Sequence, residues 1–191
     1  VNPILIEFPN KIETDRLYIR PCMPGDGKRV QEAMVNSHEQ LKKWMVFAQE
    51  IKPIDEVESN IRQAYADFIL RKDIRLHIFR KEDDAFIGAT GLHRIDWDVR
   101  KFEIGYWIDQ RHQKKGYMIE SVKALTNFAF QSLNARRIEI RCDPNNLASR
   151  NIPEKLGFTL EGILRSDSLT ADGSNVCDTC VFAMLANEWE Q

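Results

Sequence analysis

The chain has 191 residues, 43% apolar, 29% charged and 9% aromatic, and carries 27 Lys and Arg against 29 Asp and Glu for a net charge of −2. These are the proportions of an ordinary globular protein that buries a core without help from disulfides or a metal. They exclude disorder, collagen-like repeats and a disulfide-framework miniprotein, and they disfavour a strongly basic, direct nucleic-acid binder.

Residues 1–9 are too short for a signal peptide and include Glu7. Residues 13–21, ETDRLYIRP, alternate apolar and polar side chains as a strand does. Pro24, Gly25 and Asp26 mark a turn, after which Val30, Ala33 and Met34 recur at helical spacing. Ser37 with Gln40 three residues on reads as a capping box opening a second, short helix through Leu41 and Trp44. Asp55 and Glu58 are the expected caps of a longer helix with Val57, Ile61, Tyr65, Phe68 and Ile69 along one face.

The middle of the chain reads as three strands, 75–80, 85–95 and 102–109, separated by polar turns. A helix follows with Met118, Val122, Leu125, Ala129 and Leu133 on one stripe. Then come a strand at 136–142, a DPNN turn, a short helix to Leu156 and strands at 158–164 and 177–185. No repeat or long linker divides the chain, so residues 1–191 are expected to form one domain. The longest apolar run, residues 180–186, falls far short of the ~18 residues of a membrane span. The cysteines at 22, 142, 177 and 180 are read as reduced thiols of a cytoplasmic protein.

Several chemistries lack their residues. Gly27-Lys28 is not a phosphate-binding P-loop, because position 22 is Cys and position 29 is Arg. No G-x-G-x-x-G or G-x-S-x-G is present. Cys177 and Cys180 lie three apart in a strand and so point to opposite faces, and the histidines at 38, 77, 93 and 112 form no close pair, so no metal site is expected. Chemistry concentrates instead in residues 103–125, where a strand runs into a polar loop, then Gly116, then an amphipathic helix. The first turn of such a helix offers unpaired N–H groups and a positive dipole end to an anion, with Arg111, Lys114 and Lys115 beside it.

The loop Gln113, Lys114, Lys115, Gly116, Tyr117, Met118 resembles the (R/Q)-x-x-G-x-(G/A) element with which the GCN5-related N-acetyltransferases (GNATs) hold the pyrophosphate of acetyl-CoA. Residues 103–108 (EIGYWI), 143–150 (DPNNLASR) and 154–162 (EKLGFTLEG) are similar to further GNAT segments in the same order, and ETDRLYIRP is similar to the opening of the RimJ/RimL branch. The resemblance implies an α/β (α+β) fold: a mixed, mostly antiparallel sheet of about seven strands, flanked by helices and splayed between its fourth and fifth strands. It implies an acetyl-CoA-dependent enzyme that acetylates an amine, most directly a ribosomal-protein N-terminus, in a ternary complex. Alternative readings are an enzyme for a polyamine or aminoglycoside, or a non-catalytic acyl-CoA-binding regulatory domain; a homodimer is left open.

By the same resemblance Ser149 protonates the departing thiolate, while Asn146 and Ile108 contact the pantetheine arm along with backbone N–H groups near Gly105. From the residues alone, Ser149 reads as a helix N-cap and Asn146 as a turn residue. The base remains open between Glu103, Asp167 and a bound water, with His93 read as a strand residue. Trp44, Phe47, Tyr65 and Phe68 either line an acceptor groove or pack in the core. The sequence departs from the family pattern at Met118, bulkier than the usual Gly or Ala, and at Pro153, which deprives a carbonyl near Ser149 of its helical partner.

Overall fold

The computed structural model describes residues 2–189. Eight strands form one sheet in the order β1-β2-β3-β4-β5-β6-β8-β7: β1 (Ile12–Glu13), β2 (Leu17–Pro21), β3 (Ile74–Arg80), β4 (Phe86–Asp96), β5 (Lys101–Ile108), β6 (Arg137–Cys142), β7 (Thr159–Leu169) and β8 (Val176–Leu185). Only β5 and β6 run parallel. The strand expected over residues 13–21 is divided into β1 and β2, because the Thr14 hydroxyl accepts the Leu17 N–H at 2.9 Å and turns the chain between them. That accounts for an eighth strand.

The helices are α1 (Gly27–Leu41), α2 (Ile54–Ile69), α3 (Tyr117–Ser132) and α4 (Leu147–Lys155). The break expected at Ser37 does not occur. Ser37 is fully buried inside α1, and its Oγ accepts the Gln110 N–H at 2.9 Å. A distant partner thus takes up the hydroxyl that local spacing assigned to a cap. Pro53, not Asp55 or Glu58, occupies the N-cap of α2. Glu58 reaches back to the start of α1 instead, accepting from Gly25 N at 2.8 Å and Gly27 N at 3.0 Å.

One core lies between the sheet and α3, where Leu76, Ile78, Leu92, Phe102 and Ile104 meet Val122, Leu125 and Ala129. A second, around Phe79 and Phe86, packs under Val30 and Ala33 of α1 and Val57 and Ile61 of α2. Burying a Val, Leu, Ile or Phe side chain fully contributes about 1.5–3 kcal/mol. Tyr65 and Phe68 pack into the first core, whereas Trp44 and Phe47 line a cavity.

The site follows from one irregularity. β5 and β6 pair only over residues 101–103 and 137–139. Beyond them β6 pairs with β8 alone while β5 continues to Ile108, so the sheet opens along that edge. This is the splay expected between the fourth and fifth strands, which β1 renumbers as β5 and β6. Among the described residues no helix is long and apolar enough to cross a membrane.

Candidate active site

Past the open edge, β5 leads through a 3-10 turn at Gln110–His112 into the loop before α3. Gly116 caps that helix in the left-handed region, φ +80, where a side chain is strained. No acceptor among the described residues takes the N–H groups of Gly116, Tyr117, Met118 or Ile119. Arg16 braces the loop from β2's side: its Nη1 donates to the Lys115 carbonyl at 2.9 Å, it pairs with Glu120 at 2.6 Å, and its guanidinium lies 4.5 Å from the Tyr117 ring centre.

The side chains of Tyr117 and Met118 turn into the core. The bulk of Met118 is therefore absorbed by packing, and its backbone N–H stays available. The expected cationic trio reduces to two. Arg111 is neutralised by fully buried Asp109, 2.6 Å away, and by Glu32 at 2.9 Å. Gln113 is half-buried, while Lys114 and Lys115 are exposed and pair with no carboxylate among the described residues.

Two cavities flank the open edge. One, about 630 Å³, is bounded by Gln113, Lys114, Gly116, Met118, Ile108 and residues of α4. The other, about 620 Å³, lies on the α1–α2 side and includes Trp44, Phe47, Arg75, His93, Trp107 and Arg141. Trp44, Met45, Tyr106, Trp107, Asn146 and Ser149 line both.

At that junction Asn146, not Ser149, is the N-cap of α4: its Oδ1 accepts the Ser149 N–H at 3.2 Å. The Asn146 amide nitrogen and the Ser149 hydroxyl are thus not consumed in capping. Pro153 lies inside α4, so the Ser149 carbonyl four residues back has no helical N–H. The Tyr106 hydroxyl replaces it, donating to the Ser149 carbonyl at 2.9 Å, while Ser149 Oγ lies 3.4 Å from the same phenol oxygen. With its proton committed to the carbonyl, Tyr106 Oη accepts from Ser149 Oγ. Burial pushes the Tyr106 pKa well up, so the phenol keeps its proton at neutral pH. Sequence reading did not single out Tyr106; the signal available was the orphaned carbonyl implied by Pro153.

Glu103 shares a face of β5 with Gly105 and Trp107 but does not line either cavity. Its Oε2 is buried without a hydrogen bond, with Arg94 Nη1 at 3.5 Å, and burial raises its pKa. Asp167 stands exposed on the β7–β8 hairpin, outside both cavities. Neither carboxylate is positioned at the junction. His93, by contrast, is a cavity residue, and its Nδ1 lies 2.7 Å from Asp73 Oδ1.

Residues 16–159 match the family described as "Acetyltransferase (GNAT) domain". "Putative ribosomal N-acetyltransferase YdaF" of Bacillus subtilis is 32% identical over 180 residues, covering 92% of this chain and 94% of that protein. The "Ribosomal-protein-serine acetyltransferase" of Escherichia coli is 34% identical over 91 residues, covering 48% of this chain and 51% of that one. Among solved structures, a "Probable acetyltransferase" superimposes with a TM-score of 0.86 at 27% identity, over 94% of this chain and 98% of that one. RimL, a ribosomal L7/L12 α-N-protein acetyltransferase solved with coenzyme A, shares the fold at TM-score 0.84 and 21% identity, over 92% and 97%. The chain belongs to the GNAT acetyltransferases, in their RimJ/RimL-like branch.

Proposed function

We propose that the protein transfers the acetyl group of acetyl-CoA directly to the α-amine of a protein N-terminus, with both substrates bound at once. The observation that carries this reading is the meeting of two cavities at Ser149 and Tyr106, one walled by the loop before α3 and the other by α1, α2 and the sheet. The unpaired N–H groups at residues 116–119, with Gln113, Lys114 and Lys115, suit a pyrophosphate. The open edge of β5 as far as Ile108, with the Asn146 amide across the gap, suits the pantetheine arm. RimL, which shares the fold, was solved with coenzyme A.

In this arrangement the amine nitrogen attacks the thioester carbonyl, and N–H groups on the open edge of β5 stabilise the oxyanion. The C–S bond then breaks, the Ser149 hydroxyl turns its proton from Tyr106 Oη to the thiolate, and Ser149 Oγ takes in its place the proton that the former amine nitrogen loses.

Two features support a polypeptide acceptor. The segment joining α1 to α2 exposes Trp44, Val46, Phe47 and Ile51 beside the mouth of the second cavity, with Val46 74% exposed. That cavity is also lined by Lys52, Arg75 and Arg141 against Glu56 and Asp143, an environment ill-suited to a polyamine or an aminoglycoside. An α-amine, with a pKa near 7.7–8.0 against about 10.4 for lysine, is more readily deprotonated.

The test offers acetyl-CoA and a peptide bearing both a free N-terminus and an internal lysine, in competition with spermidine, and locates the acetyl group by mass spectrometry. Acetyl on the N-terminal nitrogen is expected. Acetyl only on lysine or spermidine overturns the acceptor assignment. A stoichiometric acetyl-CoA complex without turnover on any amine favours the regulatory-domain reading.

A further inference from the structure

We infer that His93, held by Asp73, is the general base that takes the proton from the acceptor amine. The inference rests on the two-cavity reading above, but not on which amine is the acceptor.

The geometry begins with two glycines. Gly91 on β4 and Gly105 on β5 are cross-strand partners. A Cβ built on Gly91 would stand 2.8 Å from His93 Nε2, and one on Gly105 would stand 3.1 Å from His93 Cδ2 and 3.3 Å from Nε2. The His93 ring thus lies across the floor that the missing side chains leave, with its Nε2 edge over β5 one residue before Tyr106. The opposite nitrogen, Nδ1, faces Asp73 in the turn before β3 at 2.7 Å. A carboxylate accepts only, so Nδ1 carries the hydrogen, and the neutral ring presents a lone pair at Nε2. The ring is 31% exposed and lines the acceptor cavity. No described residue hydrogen-bonds Nε2.

A second histidine of the same cavity shows what a structural pair looks like. His77 Nδ1 lies 2.7 Å from Asp26, but its side chain is 2% exposed and wedged against the edges of Phe79 and Phe86. Asp26 is also held by Arg20, at 2.7 and 2.8 Å, and burial lowers the His77 pKa. There the imidazole stays neutral beside an ionised Asp26, and the hydrogen bond ties β3 to the start of α1. The His93 pair has the same hydrogen bond and an open face.

The step balances. The ammonium form of the acceptor gives one proton to His93 Nε2, forming an imidazolium paired with Asp73. The neutral amine forms the C–N bond, the C–S bond breaks, and the second amine proton ends on the CoA sulfur. The imidazolium returns its proton to solvent. The titratable and charged groups that share the cavity with the ring or lie beside it are Asp73 before β3, Arg75 and His77 on β3, Glu103 on β5, Arg141 on β6, Asp143 just after it, Glu56 on α2 and Lys52 before that helix. Arg75 is hydrogen-bonded to Asn60 at 2.6 Å, and Glu103 is paired with Arg94, so neither competes for Nε2.

The experiment measures kcat/KM against pH for wild type, His93→Ala and Asp73→Asn, using whichever amine the wild type acetylates fastest from a panel of free-N-terminus peptides and polyamines. Acetyl-CoA affinity by calorimetry reports the integrity of the fold. His93→Ala should lower kcat/KM by roughly 10²–10⁴-fold, the range of general acid–base catalysis, and abolish the imidazole limb of the profile. Added imidazole should recover about tenfold or more of that loss, because the space over Gly91 and Gly105 admits it. Asp73→Asn offers an amide donor to Nδ1, turns the ring to the other tautomer and should cost roughly 10²-fold or more in kcat/KM, with acetyl-CoA affinity unchanged. A His93→Ala protein that binds acetyl-CoA normally, turns over within about threefold of wild type and keeps the same limb overturns the assignment. A fast amine that proves to be a polyamine overturns the acceptor reading instead, and the same profiles still decide the base.

Discussion

The cavity facing α3 and α4 takes most of its polar wall from two short runs of sequence, 113–119 and 146–155, whereas the cavity facing α1 and α2 gathers residues from both helices, the segment between them, and β3, β4, β5 and β6. The first presents main-chain N–H groups, so its chemistry depends on backbone shape. The second presents side chains, so its chemistry depends on which residues the sheet register places side by side. A main-chain site is set by one glycine and a helix start, while the floor of the second cavity exists only after β4 and β5 have paired Gly91 with Gly105.

Substitutions at the junction should have the largest effect, because they act on both sides at once. Ser149→Ala is expected to lower kcat by roughly 10²–10⁴-fold with acetyl-CoA affinity nearly unchanged. Steady-state kinetics beside calorimetry measure this. A loss of melting temperature alone would reduce Ser149 to a helix residue and break the link between the two cavities.

On the main-chain side, Gly116→Val forces a β-branched residue to φ +80 and brings its Cβ to 3.4 Å from Arg16 Nη2. Acetyl-CoA binding should weaken about tenfold or more, on the order of 1.4 kcal/mol, while the acceptor KM is little changed. A folded variant with wild-type affinity would remove the pyrophosphate from this loop.

The smallest effect should come from Glu103, and its sign is informative. Burial raises its folded-state pKa, so the folded protein holds this proton more tightly than the unfolded chain does. Stability from that proton is present at acid pH and is lost as pH rises above the unfolded value near 4.3. Glu103→Gln should therefore melt at or above wild type at pH 7–8, with the difference shrinking toward pH 4, as thermal unfolding at the two pH values would show. Its kcat should fall by less than that of Ser149→Ala. A large loss of kcat with unchanged acetyl-CoA binding would return the base role to Glu103 and displace His93.

Most of the fold was legible because β4, β5, α3 and β6 follow the periods of their apolar residues, and the glycine-capped start of α3 because its residues are contiguous. Ser37 and Glu58 were misplaced because each carries a local capping pattern yet satisfies a partner far along the chain, Gln110 for one and Gly25 and Gly27 for the other. Pro153 pointed to an orphan carbonyl near Ser149, but not to Tyr106 as its donor, since that contact spans 43 residues and the splayed edge. The His93–Asp73 pair spans 20 residues and crosses from a turn to a strand, and no spacing rule joins the two. Arg111 looked free because its partner Asp109 sits two residues away in a 3-10 turn whose shape sequence does not announce.

The central claim is that two cavities take two substrates and meet at Ser149 and Tyr106. A crystal structure with coenzyme A tests it most directly. The pyrophosphate should lie on the N–H groups of residues 116–119, the pantetheine along the open edge of β5, and the sulfur within hydrogen-bonding reach of Ser149 Oγ, leaving the cavity with His93 open to the acceptor. Coenzyme A seated in the His93 cavity, or its sulfur directed away from Ser149 and Tyr106, would contradict the account.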